Sequence, residues 1–179
     1  MNYDILLAGF GGQGILFAGK VIVYCGLYND KEVSWLPSYG PAMRGGTCNC
    51  SVCISDEPIG SPLVVNPNVL VVMNTPSLEK FIDTVEPGGL VLVDSSMTDV
   101  KVTRTDVKVC YVPATEITSS DPDLKGGANM ILTGKLLAET GIAGDDILKK
   151  ALEHVIPPRK AHLLGNNLKA LAIGNSYKC

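Results

Sequence analysis

Asp4-Ile5-Leu6-Leu7-Ala8-Gly9-Phe10-Gly11-Gly12-Gln13-Gly14-Ile15-Leu16-Phe17-Ala18 passes from an apolar run to a glycine cluster and back to an apolar run. Asp4 to Ala8 is too short for a helix and apolar without alternation, which predicts a strand buried on both faces. From Gly14 the apolar residues continue through Val21-Ile22-Val23 to Leu27, which is long enough for a deeply packed helix. Between them, Gly9 to Gly14 fits G-x-G-x-x-G in the strand-to-helix setting that gives such a match meaning. Glycines allow a tight turn and a close approach of the backbone. The unpaired amides and the dipole at the helix start then favour an anion such as a pyrophosphate. The same glycines would also serve if their only task were to let strand and helix pack closely.

Further along, Glu32 to Leu36 reads as a second strand, with Pro37 expected to end it for want of an amide hydrogen. Pro37-Ser38-Tyr39-Gly40-Pro41-Ala42-Met43-Arg44-Gly45-Gly46-Thr47 reads as a long irregular loop, a type that is usually functional or disordered. Cys48 to Ile54 alternates as a strand, with Cys48, Cys50, Val52 and Ile54 on one face and Asn49, Ser51 and Cys53 on the other. Val69 to Met73, Leu90 to Val93 and Val107 to Val112 complete about six strands, with a helix from Ser77 to Val85 and a turn at Pro87-Gly88-Gly89. After Pro113 the pattern is helical, over Ala128–Glu139, Asp145–Val155 and Arg159–Ala172, with Pro157-Pro158 separating the last two. The expected fold is α/β: a single Rossmann-like domain over residues 1–179, with a mixed or mainly parallel sheet flanked by helices.

The chain of 179 residues is apolar, with 46% hydrophobic and 18% charged residues, and its formal net charge is −3. That excludes a disordered chain and gives no basic field for a nucleic-acid backbone, so any phosphate site must be local. No apolar run approaches the roughly 20 residues needed to cross a bilayer, and the opening Asn2 and Asp4 do not resemble a basic signal segment. A cytoplasmic protein is expected, with its six cysteines reduced.

Several residue types suggest chemistry. A nicotinamide site would place an acidic residue at the end of the second strand, but that strand ends Ser34-Trp35-Leu36-Pro37, and Asp30 and Glu32 come too early. Gly19-Lys20 lies within the helix and lacks P-loop spacing. Cys48, Cys50 and Cys53 cannot converge on one metal ion from an extended strand, and Cys25, Cys110 and Cys179 have no partners at a recognisable spacing. His154 and His162 stand far in sequence from any nucleophile, so no residue is assigned a catalytic or metal-binding role. Arg44, among glycines, is either a bidentate clamp for phosphate or carboxylate or a solvated loop arginine.

Three stretches in order, Gly9 to Gly14, Pro37 to Thr47 and Ile54-Ser55-Asp56-Glu57-Pro58-Ile59-Gly60-Ser61-Pro62, resemble the gamma subunit of 2-oxoacid:ferredoxin oxidoreductases. The likeness covers essentially the whole chain, including Asn129 and Gly134, and leans to the 2-oxoglutarate or 2-oxoisovalerate type. It implies a subunit, inactive alone, of an enzyme that converts a 2-oxoacid and coenzyme A (CoA) to acyl-CoA and carbon dioxide and passes electrons to ferredoxin. It further implies alpha, beta and delta-type partner subunits that carry thiamin diphosphate, magnesium and iron-sulfur clusters. Neither a Gly-Asp-Gly motif at Gly144-Asp145-Asp146 nor a C-x-x-C-x-x-C run is present here. The residues expected to meet CoA are Gly9, Gly11, Gly12, Gln13, Gly14, Arg44, Gly45, Gly46 and Thr47. The alternatives are a purely structural subunit or a free-standing dinucleotide-binding protein.

Overall fold

In the computed structural model, which describes residues 2–39 and 46–179, strands and helices alternate from the first residues onward. The strands are β1 (Asn2–Phe10), β2 (Glu32–Tyr39), β3 (Thr47–Ser55), β4 (Val69–Val72), β5 (Leu90–Asp94) and β6 (Lys108–Val112). The helices are α1 (Ile15–Leu27), α2 (Thr75–Phe81), α3 (Ala114–Ser119), α4 (Ala128–Thr140), α5 (Asp145–Val155) and α6 (Leu164–Ser176). Among the described residues the strands form one sheet in the order β2-β3-β1-β4-β5-β6. β1, β4, β5 and β6 run parallel, while β3 is antiparallel to both β1 and β2. The expected α/β sheet is therefore present and is mixed.

The central strands have few polar positions because both their faces are covered. Ile5, Leu7, Val69, Val71 and Leu92 belong to one core, shared with buried residues of α1, α4, α5 and α6. Leu6, Ala8, Leu70, Val72, Val91 and Val93 face the other way, into a smaller core with Leu78 of α2. The period of two is kept, and each residue of the run meets a hydrophobic layer. β3 follows the same rule, with Cys48, Cys50, Val52 and Ile54 in the first core and Cys53 in the second.

Several expectations are corrected. Pro37 does not end β2, which continues to Tyr39 with Pro37 opposite Cys50. The reason is position: β2 is an edge strand bonded only to β3, and an edge tolerates a residue without an amide hydrogen. The irregular loop is accordingly shorter than Pro37 to Thr47, since strands take both its ends. The helix expected to reach Val85 stops at Phe81 and tightens into a 3-10 turn over Ile82–Thr84. The last helix likewise opens as a 3-10 turn, Pro158–Leu163, before α6. α3 follows Pro113 directly and was not anticipated, because six residues are too few to show a period. Finally, Cys110 and Cys179 form a disulfide with Cα atoms 5.3 Å apart, against the expectation of six reduced, unpartnered cysteines. The chain after α6 returns to β6, a proximity that no sequence spacing reveals.

No helix among the described residues is long and apolar enough to cross a membrane.

Candidate phosphate-binding site

Ligand sites in open α/β sheets lie beyond the carboxyl ends of the parallel strands, and here four such ends meet. Gly12 and Gln13 follow β1, Met73 follows β4, Met97 lies beyond β5, and Thr115 follows β6. Together with Lys125 at the approach to α4, they border a cavity of about 620 Å³.

The glycine turn is built around Gln13. Its Oε1 accepts from the Phe10 amide (2.6 Å) and from Asn74 Nδ2 (3.4 Å), and its Nε2 donates to the Met73 carbonyl (2.9 Å). The side chain thus ties the tips of β1 and β4 together and is committed to the protein. A Cβ on Gly9 would stand 2.6 Å from Gln13 Oε1, so Gly9 is required for this fold-back. Asn74, almost fully buried, also caps α2 by accepting from the Ser77 amide (2.8 Å).

Gly12 and Gly14 have φ of 101° and 77°, in the left-handed region that glycine alone enters freely. The Gly14 carbonyl accepts from Ala18 of α1 (3.0 Å) and from Asn129 Nδ2 of α4 (3.0 Å), and a Cβ on Gly14 would collide with that amide group. Gly11 spends its amide on the Gly46 carbonyl (2.9 Å) and Gln13 on Phe10 (3.2 Å). Among the described residues, the amides of Gly12, Gly14, Ile15, Leu16 and Phe17 have no acceptor. α1 carries no capping side chain and no acidic residue in its first turn. What remains is a row of unbonded amides at the positive end of a 13-residue helix, which suits an anion.

Of the expected site residues, Gly9, Gly11, Gly12, Gln13, Gly14, Gly46 and Thr47 are brought together, because β3 pairs Thr47 with Phe10 and returns Gly46 to the turn. Arg44 and Gly45 lie outside the described residues. Gly9 and Gln13 shape the turn from behind rather than facing the cavity with free groups. Sequence reasoning missed a role for Asn74 and Asn129, which hold the turn through Gln13 and the Gly14 carbonyl, and for Lys125, which borders the cavity. It missed Asp94 too, whose carboxylate accepts from the Ser96 amide (3.1 Å), the Thr115 amide (3.3 Å) and Thr115 Oγ1 (2.6 Å), joining β5 to α3. Asn74 and Asp94 stand at the ends of buried strands, a signal that could have found them, whereas Lys125 and Asn129 carry none.

Other candidates stay apart. The antiparallel β3 lies between β1 and β2, so the position beside the β1 tip where an acidic residue would meet a ribose is held by Thr47 and Cys48. His154 stacks on Tyr24, with ring centroids 4.2 Å apart, and its Nδ1 is 2.9 Å from Tyr28 Oη on the packed outer side of α1. Burial pushes the Cys50 thiol up to about 12, with Cys48 adding to the effect, so no thiolate stands behind the turn at neutral pH. No three His, Cys, Asp or Glu residues among those described are grouped to hold a metal ion.

Comparison with known proteins identifies the family of this fold. The 2-oxoglutarate synthase subunit KorC of Methanocaldococcus jannaschii is 38% identical over 159 residues, 88% of this chain and 85% of that protein. The ketoisovalerate oxidoreductase subunit VorA of Methanothermobacter thermautotrophicus is 37% identical over 97% of this chain, which corresponds to 36% of that longer protein. A keto/oxoacid ferredoxin oxidoreductase gamma subunit from Geobacter sulfurreducens superimposes with a TM-score of 0.81 at 26% identity, covering 97% of this chain and 96% of that one. The same fold occurs in a chain of a 2-oxoglutarate:ferredoxin oxidoreductase from Magnetococcus marinus, solved with 2-oxoglutarate, coenzyme A and succinyl-CoA bound. There the TM-score is 0.84 at 23% identity, over 98% of this chain and 30% of that one. The description of pyruvate ferredoxin/flavodoxin oxidoreductases matches residues 4–177, nearly the whole length, and the chain belongs to that family.

Proposed function

We propose that residues 1–179 act as one gamma-type domain of a 2-oxoacid:ferredoxin oxidoreductase and that the glycine turn receives the diphosphate of CoA. The observation that carries this reading is the set of unbonded amides at Gly12, Gly14, Ile15, Leu16 and Phe17, at the start of α1, where Gly12 borders a cavity beyond four parallel strand tips. Phosphate oxygens accept such amides without a cation, and the helix dipole adds to the attraction. CoA bound in the Magnetococcus enzyme makes it the natural occupant. This chain's part in the reaction is to hold the coenzyme so that its thiol meets the acyl group in a water-poor site, with rate supplied by positioning.

The 2-oxoacid is of the 2-oxoglutarate or 2-oxoisovalerate type, in line with the KorC and VorA likeness. Alpha, beta and delta-type subunits in the cytoplasm supply thiamin diphosphate, magnesium and iron-sulfur clusters and deliver electrons to ferredoxin. Arg44 and Gly45, with Gly46 and Thr47, complete the coenzyme contacts from the second loop.

Gly12 gives a direct test: a Cβ there would have nothing within 4 Å, and the strain of a side chain at φ 101° is common to the two variants compared. Gly12→Asp sets a carboxylate before the amides, whereas Gly12→Asn matches it in size and backbone tolerance without the charge. In the assembled enzyme, Asp is expected to raise KM for CoA at least about tenfold beyond Asn, with kcat little changed. Equal KM for the two variants would favour an assembly-only subunit.

A further inference from the structure

Beyond α6 the segment Tyr177-Lys178-Cys179 turns back onto the edge of the sheet. Tyr177 packs against the first core, its amide donates to the Gly174 carbonyl (3.2 Å), and its carbonyl accepts from the Lys135 ammonium (2.9 Å). Lys135 is only 5% exposed and is held in turn by Glu139 (2.6 Å), which also pairs with Lys108 of β6 (2.5 Å). These contacts bring Cys179 to Cys110, two residues along β6 from Lys108, with Cα atoms 5.3 Å apart and so within disulfide reach. Thiols placed in this way meet at a high effective concentration whenever the bond between them is open.

The two sulfurs differ in access. Cys110 is 0% exposed and belongs to the first core, whereas Cys179 is exposed. Cys25, Cys48, Cys50 and Cys53 are buried as well, so among the described residues Cys179 is the one thiol that a solute can meet directly. In the core that Cys110 shares, burial pushes the thiols of Cys25 and Cys50 up to about 12, a measure of how poorly this interior supports a thiolate.

We propose that Cys179 is a modification site for low-molecular-weight disulfides, glutathione disulfide being the type, and that Cys110 is its resolving thiol. The Cys179 thiolate attacks one sulfur of the small disulfide and breaks its sulfur–sulfur bond. A mixed disulfide forms on Cys179, and one small thiolate leaves with the electron pair and takes up the proton that Cys179 lost. Cys110 then gives up its proton, attacks the Cys179 sulfur and expels the second small thiol, which takes that proton. Two protein thiols are thus oxidised to one disulfide while one small disulfide is reduced to two thiols. In the reverse direction a thiol from solvent reaches only the Cys179 sulfur, so the bond opens by expelling Cys110 as a thiolate into the first core. A monothiol then sits on Cys179 and is turned back by Cys110, whereas a dithiol clears that adduct with its own second sulfur and completes the opening. Oxidant therefore locks the end of α6 to the edge strand β6, and this holds whatever ligand the glycine turn receives.

The purified full chain, reduced and freed of reductant, is treated with glutathione disulfide, quenched with acid, alkylated and mapped by peptide mass spectrometry. A transient glutathione adduct on Cys179, followed by the Cys110–Cys179 disulfide and release of both glutathiones, is expected. Cys110→Ala should keep the adduct on Cys179. Cys179→Ser, which alters only an exposed side chain, should leave Cys110 reacting at least about tenfold more slowly than Cys179 does in the alanine variant. At equal thiol concentration, dithiothreitol should open the bond of the parent more completely than glutathione does. A first adduct on Cys110, an adduct on Cys179 that persists in the parent, or no reaction at either cysteine overturns the proposal. So does modification of Cys25 or Cys50 ahead of Cys179 in the parent, because the core would then be open to the reagent.

Discussion

Gln13 shows how a residue that reads as a ligand contact becomes a brace. Its amide spans the tips of β1 and β4, accepting from Phe10 and donating to Met73, so cutting it back leaves an amide and a carbonyl without partners. Gln13→Ala is expected to lower unfolding free energy by about 1–3 kcal/mol, the cost of an unsatisfied, partly buried polar group, as read from urea midpoints. A loss below a few tenths would mean that the brace carries no strain-free hydrogen bonds of consequence. Buried thiols make a second residue-scale case, because desolvation pushes both Cys25 and Cys50 from 9.0 up to about 12. A raised folded-state value means that the folded chain keeps its proton where the unfolded chain loses it. The contribution is therefore fully present below pH 9 and is lost as pH rises toward 12. Each thiol should add a slope of about 1.4 kcal/mol per pH unit in that window, and Cys25→Ala should flatten the curve relative to the parent. Identical slopes would show that Cys25 is not desolvated as the structure has it.

Elements meet where side chains are missing. α4 and α6 cross with Gly134 against the Leu171 carbonyl and Gly174 against the Ile131 carbonyl, and a Cβ at either glycine would overlap the opposite backbone. The neighbour at each site is main chain, which cannot rotate away, so the helices would have to part. Gly134→Ala is expected to destabilise by about 1–3 kcal/mol or more despite the better helix propensity of alanine, with a lower melting temperature as the readout. A neutral or stabilising effect would place the helices farther apart than described. This pair also illustrates the limit of element prediction. The spans of α4 and α5 are close to those expected from apolar period and flanking breakers, because both signals are local. Pro37 misled for the opposite reason: whether a strand tolerates proline depends on which edge of the sheet it occupies, and only pairing assigns the edge.

At the scale of the molecule, the Cys110–Cys179 disulfide ties β6 to the segment after α6 across 69 residues of sequence. Closing a loop of that length restricts the unfolded chain, so reduction or Cys179→Ser should lower stability by about 2–4 kcal/mol. Dithiothreitol should then have no further effect on the serine variant, and equal stability of oxidised and reduced parent would exclude the cross-link. The glycine turn, its flanking strand and helix, the α/β class and the two-faced alternation of β3 were all determined by the sequence alone. Each is set by residues within one or two turns or pleats of one another. The order of the strands, the insertion of β3 beside β1, the cysteine pairing and the meeting of Asn74 with Gln13, of Asp94 with Thr115 and of Asn129 with Gly14 were decided only by the tertiary structure. Those features join segments far apart in the chain, and what brings them together is the burial of both faces of one sheet, a property of no single stretch.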